Sequence, residues 1–190
     1  MHLNLPLSLT LGRVAVIPLV LLLFFLPIEH ARQYATVLYA AAGFTDWLDG
    51  YLARRWNQTS KFGAFLDPVA DKLLVAVCLI MLLHTHEPDG VGKGVLSAMV
   101  AVIIGREITI SALREWMAEL GGRVKVAVSS IGKLKTVFQM VAIGMMIWQV
   151  DTWGLPIYHI GYGLLVIASV LTIWSMVMYL RAAWPMMAKS

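Results

Sequence analysis

The sequence predicts an all-α integral membrane protein with six transmembrane helices and both termini cytoplasmic, forming one domain over residues 1–190. Three observations carry this. Apolar residues make up 59% of the chain and charged residues 14%, against roughly 25% charged in an ordinary soluble protein, too few to build a water-facing surface. The apolar residues gather into six stretches close to the ~20 residues that a helix needs to cross roughly 30 Å of hydrocarbon. The basic residues between those stretches fall almost entirely on one side. One cysteine, Cys78, excludes a disulfide framework and a cysteine-clustered zinc site. The net charge of +4 comes without a run of like charges, which argues against a nucleic-acid partner.

The first span runs from Leu7 to Leu26 and is closed by Pro27. No basic residue precedes it, Arg13 lies inside it and no small-residue cleavage site follows, so it is expected to be a span and not a secretory leader. The others are Arg32–Trp56, Phe62–His84, Val95–Leu120, Ser130–Gln149 and Pro156–Ala183. Polar or Gly/Pro breaks separate them at Pro27–His30, Asn57–Lys61, His84–Gly94, Gly121–Ser129 and Asp151–Gly154. Backbone in lipid must satisfy its own hydrogen bonds, which makes each span a helix. Orientation follows from charge. Arg54, Arg55, Lys61, Arg114, Arg123, Lys125, Lys133, Lys135, Arg181 and Lys189 share one side, against Arg32 and Lys93 on the other. The richer side is cytoplasmic.

Four of the eleven acids, Asp46, Asp49, Asp67 and Asp71, lie inside two consecutive spans. Ionisable groups at membrane depth are expensive and mark function by default. At about 100° per residue, Asp46, Asp49, Gly50, Ala53 and Arg54 occupy one face of roughly 140°. Gly63, Asp67 and Asp71 advance by only about 40° each and form one stripe. The short connection makes the two helices antiparallel neighbours, and Ser60 suits the N-cap of the second. Counted outward from the loop, Asp49 comes level with Asp67 and Asp46 with Asp71, with Gly50, Ala53 and Gly63 leaving room between. Four carboxylates this close require cations, and hard oxygen ligands suit Mg²⁺, Mn²⁺ or Ca²⁺. Only about 18 Å of apolar helix, Tyr34 to Thr45, precedes Asp46, which places the site towards the cytoplasmic boundary.

The string Asp46-x2-Asp49-Gly50-x2-Ala53-Arg54-x8-Gly63-x3-Asp67-x3-Asp71 resembles the signature of the CDP-alcohol phosphatidyltransferase family at all eight fixed positions. Asn4-Leu5-Pro6 through Thr10 and Arg13, Arg106-Glu107-Ile108 to Arg114-Glu115, and Gly132 to Thr136 extend the likeness to a bacterial branch whose acceptor is sn-glycerol 3-phosphate. The resemblance implies transfer of a phosphatidyl group from CDP-diacylglycerol to that acceptor, releasing CMP without a covalent enzyme intermediate. It implies Asp46, Asp49 and Asp67 as metal ligands, with Asp71 touching the second of two ions (Mg²⁺, or Mn²⁺) and serving as general base. Gly50 would admit the nucleotide closely, and Arg54 and Ser60 would contact the CDP moiety. It further implies a homodimer in the bacterial inner membrane, with the active site on the cytoplasmic side.

Acceptor choice rests on basic residues. Arg106 and Arg114 lie about 80° and roughly 12 Å apart on the fourth span. With Lys133 and Lys135, and with Thr10 and Arg13 on the first span, they could ring a phosphate. The competing reading is topology plus anionic headgroups, and it takes Arg123 and Lys125. Depth in a span favours the site for Arg106. Lys133 and Lys135 stand two apart, so both cannot face one site if that segment is helical; the resemblance assigns them to the acceptor. A sibling transferase using inositol phosphate or serine is the nearest alternative. A divalent-cation transporter is the alternative of another class, but its acids would line a path with polar groups towards the outer face. His84 and His86, near Glu87 and Asp89, read as a solvated loop, and Cys78 as a small core residue.

Overall fold

The computed structural model describes residues 5–56, 61–85, 91–119 and 130–187. Within them the chain forms six helices: α1 Leu5–Phe25, α2 Ala31–Trp56, α3 Lys61–Thr85, α4 Val91–Glu119, α5 Ser130–Trp148 and α6 Ile157–Met187. The expected spans match them one for one. Pro18 and Pro68 are carried inside α1 and α3, as helices in lipid allow when neighbouring groups re-satisfy the freed carbonyls. Pro6 falls in the first turn of α1, where its missing N–H costs nothing. Two boundaries differ from expectation. α4 starts at Val91, four residues before Val95, and α6 continues through Pro185 to Met187.

The connections explain where helices stop. Pro27 lies in the short non-helical stretch after α1, and His30 takes a left-handed φ of 61° just before α2. α5 ends at Trp148 and is followed by Gln149 with φ 62°, the left-handed residue that commonly closes a helix. The turn into α6 is a two-residue hairpin. Trp153 and Gly154 have φ 55° and 74°, and Thr152 and Leu155 exchange backbone hydrogen bonds of 3.3 and 3.1 Å, the geometry of a type I′ turn.

Among the described residues, three helices are by length and composition apolar enough to cross a membrane, over Ser8–Phe25, Gly92–Met117 and Ile157–Trp184; the apolar stretch of α5, Leu134–Trp148, is shorter. The helices nearest the site carry the charges that lower their hydropathy: the aspartates in α2 and α3, the lysines in α5. Outward faces hold exposed Phe65, Ile108, Trp174 and Trp184, an apolar exterior that suits lipid.

The main core joins Ile17 and Val20 of α1, Ala35 and Tyr39 of α2, Leu74 and Cys78 of α3, Ile103 of α4, Ile143 of α5 and Leu165 of α6. A second cluster packs Ile110, Leu113 and Met117 of α4 on Tyr179 and Ala183 of α6. α5 and α6 form the most extensive helix pair, and α1 packs along both α2 and α3. Among the described residues, α2 and α3 touch less than the other contacting helix pairs do. Asp46 of α2 and Asp71 of α3 do meet, and α1 joins them through Arg13.

The α5–α6 contact depends on Gly161. A Cβ there would stand 2.9 Å from the Ala142 carbonyl oxygen and 2.9 Å from Met145 Cβ. Gly161→Ala should lower stability by about 1–3 kcal/mol, the usual cost of overpacking, measured by reversible unfolding in mixed micelles. Gly163→Ala, where a Cβ meets nothing within 4 Å, should change it little.

Candidate active site

Thr10 and Arg13 lie three residues apart on α1, and Asp67 and Asp71 four apart on α3, so each pair presents one face. The two faces meet in step. Thr10 Oγ1 donates to Asp67 Oδ1 at 2.5 Å, and Arg13 Nη1 to Asp71 Oδ1 at 2.6 Å. The same Arg13 nitrogen is 2.8 Å from Asp46 Oδ1 on α2. One guanidinium group thus ties three helices together. Its side chain is 0% exposed, whereas those of Asp46 and Asp71 are 41% and 43% exposed. The arginine is the buried floor, and the carboxylates open outward from it.

The chemistry of these donors suits a divalent cation. Asp46 and Asp71 already converge on a single positive nitrogen, and all the candidate ligand atoms are hard carboxylate oxygens. Among the described residues no three His, Cys, Asp or Glu side chains group closely enough to hold an ion. The remaining candidate carboxylate, Asp49, falls in α2 but its side chain lies outside the described set. The same holds for Arg54 in α2 and Lys133 in α5. Gly50 is on the same helix, and Ser60 lies outside the described residues, as do Arg123, Lys125 and the segment from His86 to Asp89.

The basic residues gather around an acid. Glu107 Oε1 accepts from Arg106 Nη1 at 2.8 Å and from Lys135 Nζ at 2.9 Å. Arg106 Nη2 reaches Ser175 Oγ on α6 at 3.4 Å, while its Nε is buried without a partner. Two cations against one carboxylate leave one net positive charge inside the bundle. Lys133 and Lys135 both fall in α5, about 200° apart around it, and Lys135 is the one seen on Glu107. Arg114 lies one face along α4, its guanidinium carbon 5.5 Å from the Tyr179 ring centroid, a cation–π contact.

α3 links the two clusters. Lys72, next to Asp71, donates to Ser111 Oγ on α4, and Ser111 Oγ donates to the Glu107 carbonyl at 2.7 Å. A cavity of about 290 Å³ beside this link is lined by Lys72 and Glu107 together with apolar Val69, Leu73 and Ile104. Lys72 thus serves Ser111, and it is Arg13 that serves Asp46 and Asp71.

Sequence reasoning used Glu107 only as part of the likeness, without a role, and passed over Ser111 and Ser175. Glu107 carried a signal, being an acid inside an apolar span beside an arginine. The serines carried none, since hydroxyls are ordinary in spanning helices. Of the residues set aside, Cys78 is buried in the core and His84 packs against Phe25 with ring centroids 6.3 Å apart.

The site's geometry meets an independent likeness. A family model described as CDP-alcohol phosphatidyltransferase matches residues 3–178. A CDP-diacylglycerol–glycerol-3-phosphate 3-phosphatidyltransferase of Shigella flexneri serotype 5b (strain 8401) is 49% identical over 183 residues, covering 96% of each chain. The protein of the same name from Escherichia coli (strain K12) has the same identity and coverage. The matched segment contains α1 to α5, both polar clusters and every position of the aspartate signature. The chain belongs to the CDP-alcohol phosphatidyltransferase family.

Proposed function

We propose that this protein transfers the phosphatidyl group of CDP-diacylglycerol to the 1-hydroxyl of sn-glycerol 3-phosphate, releasing CMP. The observation that carries the reading is the pair of linked clusters: carboxylates gathered on one buried cation, and beside them a buried cluster with one positive charge in excess. The first suits a pyrophosphate donor through bound cations, the second a phosphate-bearing acceptor. Relatives of nearly the same length bear the name of this reaction.

In this reading the whole chain, residues 1–190, is one membrane domain of six spans in a bacterial inner membrane. Both termini and the active site are cytoplasmic, and the protein is a homodimer. Asp46, Asp49, Asp67 and Asp71 hold two ions, Mg²⁺ or Mn²⁺; the family is generally dependent on divalent metal. Bound cations supply neutralisation of the pyrophosphate and of charge developing in an in-line displacement. Gly50, Arg54 and Ser60 receive the cytidine diphosphate. Asp71 takes the proton from the acceptor hydroxyl as its oxygen bonds to the lipid-bearing phosphorus and the bond to CMP breaks. Arg106, Arg114, Lys133 and Lys135 hold the acceptor phosphate. Thr10 and Arg13, which lie against Asp67, Asp71 and Asp46, would add to the acceptor contacts.

The test is an acceptor panel. Purified protein with CDP-diacylglycerol and Mg²⁺ should release CMP fastest with sn-glycerol 3-phosphate. EDTA should stop the release, and added Mg²⁺ or Mn²⁺ should restore it. Faster release with inositol phosphate or serine would reassign the acceptor, and no release with any alcohol would end the transferase reading.

A further inference from the structure

At the end of the bundle away from the aspartates, where α1 stops, α2 starts and α5 stops, lies a cavity of about 280 Å³. Unlike the apolar grooves on the helix faces, its wall includes His30, Arg32, Gln33 and Gln149 beside Phe24 and Trp148. Two side-chain donors in that wall are buried and make no hydrogen bond: Nη1 of Arg32 and Nε2 of Gln149. A buried donor without an acceptor is unfavourable, more so when charged. Two of them, on residues from distant parts of the chain that line one cavity, would be satisfied by an acceptor from outside the protein.

The arrangement also says what kind of acceptor. The Arg32 guanidinium carbon lies 4.1 Å from the Phe24 ring centroid, which fixes the plane of the group and leaves its edge for hydrogen bonding. The neighbouring acid Glu29 lies against His30 at 3.5 Å, and Asp151 is exposed. The missing partner is an anion with at least two acceptor oxygens, for which the arginine fork suits phosphate. Its surroundings are those of a membrane interface. Leu26 and Ile28 on the rim are exposed, and the nearby Trp153 is 94% exposed at the tip of the α5–α6 turn; exposed tryptophan at such a level is an interfacial anchor.

We infer that this cavity binds the phosphodiester of a membrane-lipid headgroup, with Arg32 and Gln149 as its two donors and the acyl chains running along the apolar rim. The inference rests on the membrane embedding in the reading above and not on transfer activity. It gives Arg32, one of two basic residues on the side opposite the cytoplasmic cluster, a role besides topology.

The test uses purified full-length protein in mild detergent. It is titrated with short-chain phosphatidylglycerol, with diacylglycerol of the same chain length, and with inorganic phosphate, while the thermal midpoint is followed. Short-chain phosphatidylglycerol should raise the midpoint of the wild type and of Asp71→Asn alike, which keeps the effect apart from the aspartate site. Arg32→Gln and Gln149→Met should each need at least tenfold more of the lipid, and Arg32→Lys should fall between. Diacylglycerol and inorganic phosphate should have no effect. If Gln149→Met and Arg32→Lys titrate like the wild type, the two donors are merely hydrated and the inference fails. A shift reproduced by inorganic phosphate alone would equally overturn the lipid assignment. A protein that shows the lipid effect but releases no CMP would sink the transferase reading and leave this one standing.

Discussion

Asp71→Asn should lower phosphatidyl transfer by a factor on the order of 10² to 10⁴, the range that a positioned general base contributes, without unfolding the protein. The asparagine side chain has the same shape and keeps an oxygen to accept from Arg13 Nη1, which the carboxylate meets at 2.6 Å. Arg13 also retains Asp46 at 2.8 Å, so the buried guanidinium group is not stranded without an acidic partner. On the proposed roles, what disappears is the proton acceptor for the alcohol and one anionic ligand. Turnover should be measured as CMP release at saturating Mg²⁺, with monodispersity and helical content as controls. Asp46→Asn and Asp67→Asn should also abolish transfer. The informative contrast is donor binding: Asp71→Asn should keep its affinity for CDP-diacylglycerol, because three carboxylates and Arg54 remain. Near-normal turnover in any two of the three variants would end the metal-cluster reading, and an equal loss of donor binding would reduce Asp71 to a ligand.

The second large effect belongs to the acceptor. Arg106→Gln should raise the KM for sn-glycerol 3-phosphate about ten- to a hundredfold while leaving the KM for CDP-diacylglycerol within a few-fold. A charge-assisted hydrogen bond contributes roughly 1.5–3 kcal/mol, and about 1.4 kcal/mol is a factor of ten. The structure adds a reason for the upper part of that range. Arg106 and Lys135 share Glu107 Oε1, so removing one cation leaves a neutral pair and cancels the excess positive charge that would draw an anion. Steady-state kinetics with both substrates varied will separate the two constants. Glycerol without its phosphate should discriminate little between wild type and variant, and Arg123→Gln should change neither constant. A rise confined to CDP-diacylglycerol would place Arg106 on the donor side.

The six helices and the aspartate faces were legible in the sequence because both are local properties. Length of apolar run decides a span, and 3.6 residues per turn decides that Asp67 and Asp71 share a face. Counting outward from the loop put Asp46 level with Asp71, and both reach the same Arg13 nitrogen. The likeness to the family was equally legible, since it needs only residue identities at fixed intervals.

What stayed hidden was which face of each helix meets which neighbour. In helices that are apolar nearly all round, periodicity no longer points to a partner. The contact is decided by packing of many weak dispersion interactions between surfaces of similar chemistry. Hence Arg13, read as an acceptor residue, also stands between Asp46 and Asp71, because α1 packs along both α2 and α3. Hence also Glu107, on α4, collects Lys135 from α5, and Arg32 and Gln149 share a cavity. The sequence by itself determined the number of helices, their ends to within a few residues and the chemistry each one carries, because these depend on neighbours along the chain. Tertiary structure alone decided which charges meet, because pairing across helices depends on the close packing of side chains far apart in sequence.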